Sequence, residues 1–330
     1  MGRIKKRGIF FTFISIIIIT TFIFIFVPQV DVSLQKDNQA TMTRIRSIDD
    51  YVGDLENNYL KTILSLVNQK TILSMIYYMN ETNSYIVNLD SAYYEIMLNG
   101  TIDGKPIDKL TKKKIMGDNT LVNWTNKIIN ASKEALKVET NVTIINITVN
   151  QTDPRNIDTS LFVNITIVSN VARWNRNMII NTSNSIEGFY DPYYLVNTKG
   201  LYANKIKKSD VPLREWTPDK LRVHIKDGTY VSWEDKLAPS FLMRFTNTIT
   251  SSSCCGIESV LDPNKLAQHG QNHDQIESYV DYLFWSHKFA NNCTQLYNIT
   301  GLWDEFKYFK LDFEHLTRYN ITSQDAVKTC

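Results

Sequence analysis

The sequence lacks the motifs of the common catalytic and cofactor sites. It has no His-Glu-x-x-His pair for zinc, no Gly-x-Ser-x-Gly turn for a nucleophile and no glycine-rich loop for phosphate. Its five histidines, at His224, His269, His273, His287 and His315, stand in none of these patterns. We therefore expect no catalytic residue, no cofactor and no metal site, and we predict that the chain is not an enzyme.

Two acidic groups have a structural interpretation instead of a catalytic one. Glu187 and Asp191 could form a carboxylate pair, but Asp191-Pro192 is typical of a turn that follows a strand. Glu314-His315 falls in a predicted terminal helix and is expected at its surface. Neither group indicates a reaction.

Charge of one sign is not in excess, since 36 Lys and Arg stand against 34 Asp and Glu. No basic patch or low-complexity tail appears, and this excludes nucleic acid as an expected partner. The balance is typical of a folded, near-neutral domain.

One segment has no charge at all. Residues 9–27 are uncharged, and they follow Arg3, Lys5, Lys6 and Arg7. About 20 residues at 1.5 Å each cross the hydrocarbon core of a bilayer. Because basic flanks stay on the cytoplasmic side, we expect a basic cytoplasmic tail, a transmembrane helix and an extracellular C-terminal domain. The expected location is the cell membrane, with the lipid bilayer as a partner.

Two other interpretations of this segment, both of which involve cleavage of the chain, stay open. A cleaved secretory signal has a shorter apolar region and a small-x-small cleavage site, and residues 26–30 offer no such site. A prepilin-type peptidase would cut between Gly8 and Ile9. Bacterial-type pilins carry a glutamate five residues after that cut, whereas Phe13 stands there.

Cysteine is scarce, and its four copies are Cys254, Cys255, Cys293 and Cys330. An even number outside the cytoplasm predicts two disulfides. Because a bond between neighbours is strained, we expect Cys254 and Cys255 each to reach one of the other two, with the pairing open. The alternative is a metal site that includes His269 and His273. A helix would be needed to direct both imidazoles at one ion, and Gly270 between them disfavours that helix.

Asparagine in glycosylation sequons is abundant. Twelve Asn-x-Ser/Thr sequons occur, and ten use Thr. The predicted N-glycosylation sites are Asn80, Asn99, Asn123, Asn130, Asn141, Asn146, Asn150, Asn164, Asn181, Asn292, Asn298 and Asn320. The alternative explanation is a composition rich in asparagine.

Period-two patterns predict which way two strands face. In residues 143–150 the pattern predicts an inward face of Ile145, Ile147 and Val149. In residues 161–168 it predicts an inward face of Leu161, Val163, Ile165 and Ile167, with Asn164 outward. The sequons would then lie on the solvated face of a sheet.

The order of elements predicts an α+β fold, with helices first and strands next. The pattern predicts helices to about Met79, over 83–98 and over 119–137, then strands from Val142 to about Val196. The predicted regions are a tail (1–8), a transmembrane helix (9–27), a helical stalk with a helix pair (28–137), an antiparallel sheet (138–206) and a mixed helical and loop region (207–330).

The stalk has an apolar seam at Ile45, Ile48, Val52, Leu55 and Tyr59. This spacing is typical of a coiled coil or a helix hairpin. The seam either packs inside the protomer or joins the stalk of a partner, so self-association through it is an open expectation.

Several stretches resemble an uncharacterised family of archaeal single-pass surface proteins with a pilin-like N-terminus. They are the opening KRGIFFTFISIIII, LNGTIDG at 98–104, the segment 172–200, SSSCCGIESVL at 251–261 and KYFKLDFEHLTRYNI at 307–321. The adjacent cysteines are peculiar to this chain. The resemblance implies a surface location and pilin-like or cell-surface roles.

The expected function is therefore that of a membrane-anchored extracellular glycoprotein with a structural, adhesive or pilus-associated role. The alternative is an extracellular ligand-binding domain that acts through a membrane partner. The predicted cytoplasmic tail of eight residues is too short for a signalling domain of its own.

Overall fold

The computed structural model describes residues 16, 34–234, 237–290, 292–322 and 324–330. No helix within these ranges is long and apolar enough to span a bilayer. Polar and charged side chains interrupt the apolar residues of the two longest, Leu34–Asp54 and Leu60–Thr82. This corrects the predicted fold class, which began with a transmembrane helix: the described chain is α+β with antiparallel sheets. The predicted tail and segment 9–27 lie outside the described residues, apart from Ile16.

Eleven α-helices are present in the described ranges. They are α1 Leu34–Asp54, α2 Leu60–Thr82, α3 Leu89–Asn99, α4 Ile107–Leu110, α5 Leu121–Leu136, α6 Pro192–Asn197, α7 Pro218–Asp227, α8 Phe241–Arg244, α9 Pro263–Gln268, α10 Asp281–Ser286 and α11 Phe313–Arg318. A π-helical segment, Leu55–Tyr59, joins α1 to α2, and short 3-10 turns occupy Cys293–Gln295 and Thr300–Leu302.

The strands form three small sheets. They are β1 Thr101–Ile102, β2 Lys105–Pro106, β3 Glu139–Asp153, β4 Asn156–Val168, β5 Arg173–Ser185, β6 Leu296–Ile299, β7 Lys310–Asp312 and β8 Ala326–Lys328. Strands β1 and β2 pair, β3, β4 and β5 bond in chain order, and β6 lies between β7 and β8. Both pairings of β6 are antiparallel.

The π-helical segment shifts the apolar stripe of the long helix. Ile48, Val52 and Leu55 are buried, and the stripe resumes at Leu60, whose N–H bonds to the carbonyl of Leu55. A π turn inserts one residue into a helix. For this reason Tyr59, predicted to continue the seam, is 39 % exposed. Ile48, Val52 and Leu55 are thus buried within the protomer, and self-association through the stalk stays a prediction.

Strand β3 changes its inward face halfway along. Thr140 is buried on one parity, whereas Ile147 and Gln151 are buried on the other, and the consecutive residues Ile145 and Asn146 are exposed. The prediction that Ile145 faces inward is wrong, since it is 59 % exposed. When the alternation of a strand is interrupted by one residue, the parity that faces inward before the interruption faces outward after it.

Strand β4 keeps a regular alternation, as predicted. Leu161, Val163, Ile165 and Ile167 are buried, and Asn164 lies on the other face. Strand β5 buries Met178 and Ile180 in the same way, and then the polar side chains of Thr182 and Asn184.

The start of the predicted helix 83–98 and the end of the predicted strand region both differ from the structure, because asparagine and aspartate residues cap helices there. Asn83 has a φ of 50°, where α2 has ended, and Asn88 accepts a hydrogen bond from the N–H of Ser91 to begin α3. Val87, predicted to be part of that helix, precedes the cap and is fully exposed. Likewise the predicted strand region does not reach Val196, because Asp191 caps α6.

The chain divides into two compact units. The first comprises Met1–Thr62, Val122–Asn146 and Phe162–Ile180, and the second comprises Ile63–Leu121, Ile147–Leu161 and Asn181–Cys330.

In the first unit, side chains of α1 bond to other segments of the same unit. Trp174 Nε1 donates to Asp49 Oδ1 at 2.6 Å, and Arg44 Nη2 donates to the carbonyl of Leu136 at 3.3 Å. Burial raises the pKa of Tyr51 to about 12, against a hydrogen bond from Ser132. These contacts fix the face of α1 that is buried.

In the second unit, a polar layer lies among the apolar residues of α2. Asn68 Nδ2 donates to Asn184 Oδ1 at 2.8 Å, and Tyr93 Oη donates to Asn68 Oδ1 at 2.6 Å. Asn184 Nδ2 in turn donates to Ser65 Oγ at 2.7 Å. Because buried polar groups are costly unless paired, these bonds fix which residues of α2 face inward.

Candidate functional site

The predicted glycosylation sites are all reachable by solvent. None of the twelve sequon asparagines is buried: Asn80, Asn123, Asn164 and Asn298 are half-buried and the other eight are exposed. This fits an attached oligosaccharide, because a sequon must be exposed to carry one. Whether any of them is modified remains a prediction.

Five sequons lie in the long strands, each at a position that is not buried. They are Asn141, Asn146 and Asn150 in β3, Asn164 in β4 and Asn181 in β5. In the first unit, Asn164 Nδ2 donates to Asn175 Oδ1 at 2.8 Å and to Asn177 Oδ1 at 2.7 Å. Since a glycan attaches at Nδ2, modification of Asn164 would remove at least one of these two bonds.

The four cysteines form two disulfides, but the predicted pairing is wrong. Cys254 bonds to its neighbour Cys255, and Cys293 bonds to Cys330. The small C-terminal sheet explains the second pair. Strand β8 pairs with β6, and the N–H of Thr329 bonds to the carbonyl of Leu296, so the two chain segments that carry Cys293 and Cys330 run side by side.

The second unit also contains a charge centre around Arg244. This guanidinium is fully buried, and its Nη1 donates to Asp191 Oδ2 at 2.6 Å and to Asp281 Oδ2 at 2.8 Å. Its Nη2 donates to the carbonyl of Ile257. The ring of Tyr193 lies 4.8 Å from the guanidinium carbon. One cation therefore holds two buried carboxylates.

Protonation in the Arg244 centre follows from burial and charge together. Burial alone would lower the pKa of Arg244, but Asp191 and Asp281 outweigh it and keep the pKa well above the ordinary value. Burial raises the pKa of Asp281 to about 6, against the attraction of Arg244. Ser259 donates to Asp281 through both its N–H and its hydroxyl, which supports the carboxylate form.

A second charge centre surrounds Glu258. His315 lies between two carboxylates, with Nδ1 2.8 Å from Asp312 Oδ2 and Nε2 3.2 Å from Glu258 Oε2. Arg318 Nη1 donates to Glu258 Oε2 at 3.1 Å, and Tyr319 Oη donates to Glu258 Oε1 at 3.2 Å. These side chains are buried or nearly so.

Burial and the neighbouring charges act in opposite directions on the pKa values of this centre. Burial alone would lower the pKa of His315, but Glu258 and Asp312 raise it to about 10. Burial would raise the pKa of Asp312, but the bond from His315 lowers it to about 2. The same imidazole, with Arg318, lowers the pKa of Glu258 against the effect of burial. At neutral pH the centre therefore contains an imidazolium between two carboxylates.

The histidines and carboxylates singled out in the sequence occupy different kinds of position in the structure. Among the residues that the structure describes, no carboxylate bonds to the buried His224, and burial lowers its pKa to about 3. Its Nδ1 lies 2.5 Å from Thr229 Oγ1. Of the suggested carboxylate pair, Asp191 caps α6 and binds Arg244, whereas Glu187 is exposed. His315 was predicted at the surface and is 1 % exposed, so that prediction is wrong.

An Asp–His–Glu arrangement could move protons, since the imidazole can exchange them with either carboxylate. A reaction would also need a substrate beside the imidazole. Here Asp312, Glu258, Arg318 and Tyr282 surround His315. The geometry is that of a closed ionic network that holds α11 against the segment around Glu258.

Only weak signals for these centres are present in the sequence. Arg244 stands among apolar residues in LAPSFLMRF, and Glu258 in CGIESVL, where a charge with apolar neighbours suggests a buried one. Their partners are far away in the chain, so the pairing itself could not be derived.

Comparisons with protein-family models, with curated proteins and with solved structures found no match to this chain. The resemblance to archaeal surface proteins therefore stays a prediction.

Proposed function

We propose that this chain is an extracytoplasmic glycoprotein with a structural or adhesive role at the cell surface. The observation that carries the proposal is the number of sequons together with their exposure: twelve occur, and all twelve asparagines are exposed or half-buried, as the attachment of an oligosaccharide requires.

A further feature supports this function. Disulfides persist in oxidising compartments outside the cytoplasm, and the chain has two.

Glycopeptide mass spectrometry of protein from its native cells tests the glycan. We expect oligosaccharide on several sequon asparagines, those of β3 among them. Asn175 and Asn177 are the matched controls, because they are exposed on β5 but stand outside any sequon. A native protein with unmodified asparagine at all twelve sequons would contradict the proposal.

Surface labelling tests the location independently of the glycan. Lys112 is 82 % exposed, so a membrane-impermeant amine reagent should label it on intact cells. If Lys112 is labelled only after the cells are lysed, the chain is not at the cell surface and the proposed role is wrong.

A further inference from the structure

The two disulfides differ in what they can contribute to the fold. Cys293 and Cys330 are 37 residues apart, whereas Cys254 and Cys255 are adjacent. A disulfide stabilises a protein chiefly by closing a loop in the unfolded chain, and the effect grows with the length of that loop. A bond between neighbours closes almost no loop. Cys254–Cys255 is therefore not explained as a structural cross-link.

A backbone carbonyl oxygen lies beside both sulfurs of the adjacent pair. Cys254 Sγ lies 3.2 Å and Cys255 Sγ 3.1 Å from the carbonyl oxygen of Gln151. In the disulfide the sulfurs carry no hydrogen. In the dithiol each sulfur carries one, and the same carbonyl can accept it. Thiols are weak donors, and the two sulfurs move apart when their bond breaks, so this carbonyl is an acceptor that the reduced pair already has beside it.

The backbone beside the pair is held independently of the sulfur bond. A Cβ added at Gly256 would lie 2.2 Å from the carbonyl oxygen of Ala238, so the two chain segments are in close contact there. The N–H of Ile257 bonds to the carbonyl of Pro239, and the N–H of Cys255 bonds to Ser252 Oγ. None of these bonds involves a sulfur atom.

Access to the two sulfurs is unequal. Cys254 is half-buried, whereas Cys255 is fully buried. Thiol–disulfide exchange needs an attacking thiolate to reach one sulfur, and access decides which sulfur it attacks. Cys254 is therefore the sulfur open to attack.

We propose that Cys254–Cys255 is a thiol–disulfide exchange site, reduced reversibly by a dithiol while the fold stays intact. A thiolate of the dithiol attacks Cys254 Sγ, the bond between the two cysteines breaks, and Cys255 leaves as a thiolate. The second thiolate of the reductant then attacks its own sulfur in the mixed disulfide and releases Cys254. Two electrons pass to the cysteine pair, the reductant becomes a disulfide, and its two protons end on the two cysteines.

Graded reduction of the full chain tests the proposal. The chain is incubated with rising concentrations of dithiothreitol, alkylated with N-ethylmaleimide and mapped by peptide mass spectrometry, with tryptophan fluorescence as the measure of folding. We expect Cys254 and Cys255 to be alkylated while the fluorescence is still native, and their bond to re-form with oxidised glutathione. Alkylation of the pair only in step with unfolding would overturn the proposal.

Two single variants test which sulfur is attacked. With glutathione disulfide, the free Cys254 of Cys255→Ser should form a mixed disulfide about tenfold or more faster than the free Cys255 of Cys254→Ser, because only the former is accessible. Equal rates would contradict the proposed attack at Cys254. If either variant fails to fold, the graded reduction of the unmodified chain still decides the proposal.

Two double variants test the claim that the adjacent pair is not a structural cross-link. We expect Cys254→Ser with Cys255→Ser to shift Tm by no more than about 2 °C, and Cys293→Ser with Cys330→Ser to lower Tm by about 5 °C or more. If loss of the adjacent pair lowers Tm as much as loss of the other, the pair is structural and the proposal is wrong.

Discussion

The long strands and the C-terminal region place their polar residues in opposite ways. The buried residues of strands β3 and β4 are all uncharged and most of them are apolar, and the four sequon asparagines of these strands are not among them. The region from α7 to β8 buries charges, among them Arg244, Glu258 and His315. In the strands stability depends on apolar area, whereas in the C-terminal region it also depends on complete pairing of ions.

The difference matters because the two arrangements tolerate change differently. An exposed polar residue can be replaced with little loss, since water takes the place of its partner. A buried ion that loses its partner keeps the full cost of its removal from water, and this cost is several kcal/mol. The buried centres are thus the most sensitive positions of the chain.

Removal of Arg244 should have the largest effect. Arg244→Met leaves Asp191 and Asp281 as two buried carboxylates without their cation. We expect the free energy of unfolding to fall by about 3–5 kcal/mol, measured by urea denaturation at pH 7.

Arg222→Met is the matched control for this change. Arg222 also pairs with acidic residues, but its partner Asp219 is 85 % exposed. Loss of a surface pair costs about 0–1 kcal/mol. Equal losses for the two variants would mean that burial does not distinguish these ion pairs, and the comparison of the two regions would lose its basis.

The pH dependence of stability sharpens the comparison within the buried region. His315 has a pKa of about 10 when folded and about 6.5 when unfolded. The folded chain therefore holds a proton between pH 6.5 and 10 that the unfolded chain has lost. The stabilisation from this group is complete below pH 6.5 and is lost as the pH rises through 10, at up to about 1.4 kcal/mol per pH unit. His315→Gln should flatten this alkaline slope in urea titrations.

His224 is the control with the opposite sign. Its folded pKa of about 3 lies below the unfolded value, so its contribution is present above pH 6.5 and is lost as the pH falls toward 3. His224→Gln should therefore leave the alkaline slope unchanged and reduce the acid one. An alkaline slope that persists in His315→Gln would show that His315 is not the group that titrates.

The same contrast explains what the sequence could predict. The alternation of Leu161, Val163, Ile165 and Ile167 is local, and it identified the buried side of β4. Twelve sequons could be read directly from the chain. The face of Ile145 was mispredicted, because Ile144 and Ile145 are adjacent and equally apolar, and the sequence pattern does not show which of the two faces inward.

The charge centres could not be predicted in this way. Glu258 and His315 are 57 residues apart, and Arg244 and Asp191 are 53 apart. No local pattern specifies such pairs, since they depend on where the chain returns in three dimensions. The prediction of the cysteine pairing was wrong for the same reason. Strands β6 and β8, which bring Cys293 and Cys330 together, are four and three residues long and give little periodic signal.

The smallest expected effect concerns two asparagines of one strand. Asn181 is an exposed sequon residue of β5, whereas Asn184 is buried and bonded to Asn68 and Ser65. In protein made without glycans, Asn181→Ala should change the free energy of unfolding by no more than about 0.5 kcal/mol. Asn184→Ala leaves buried partners unsatisfied and should cost about 1–3 kcal/mol. If urea denaturation gives the larger loss for Asn181, its side chain has a structural role that solvent exposure does not reveal, and sequon exposure would be a weaker argument for glycosylation.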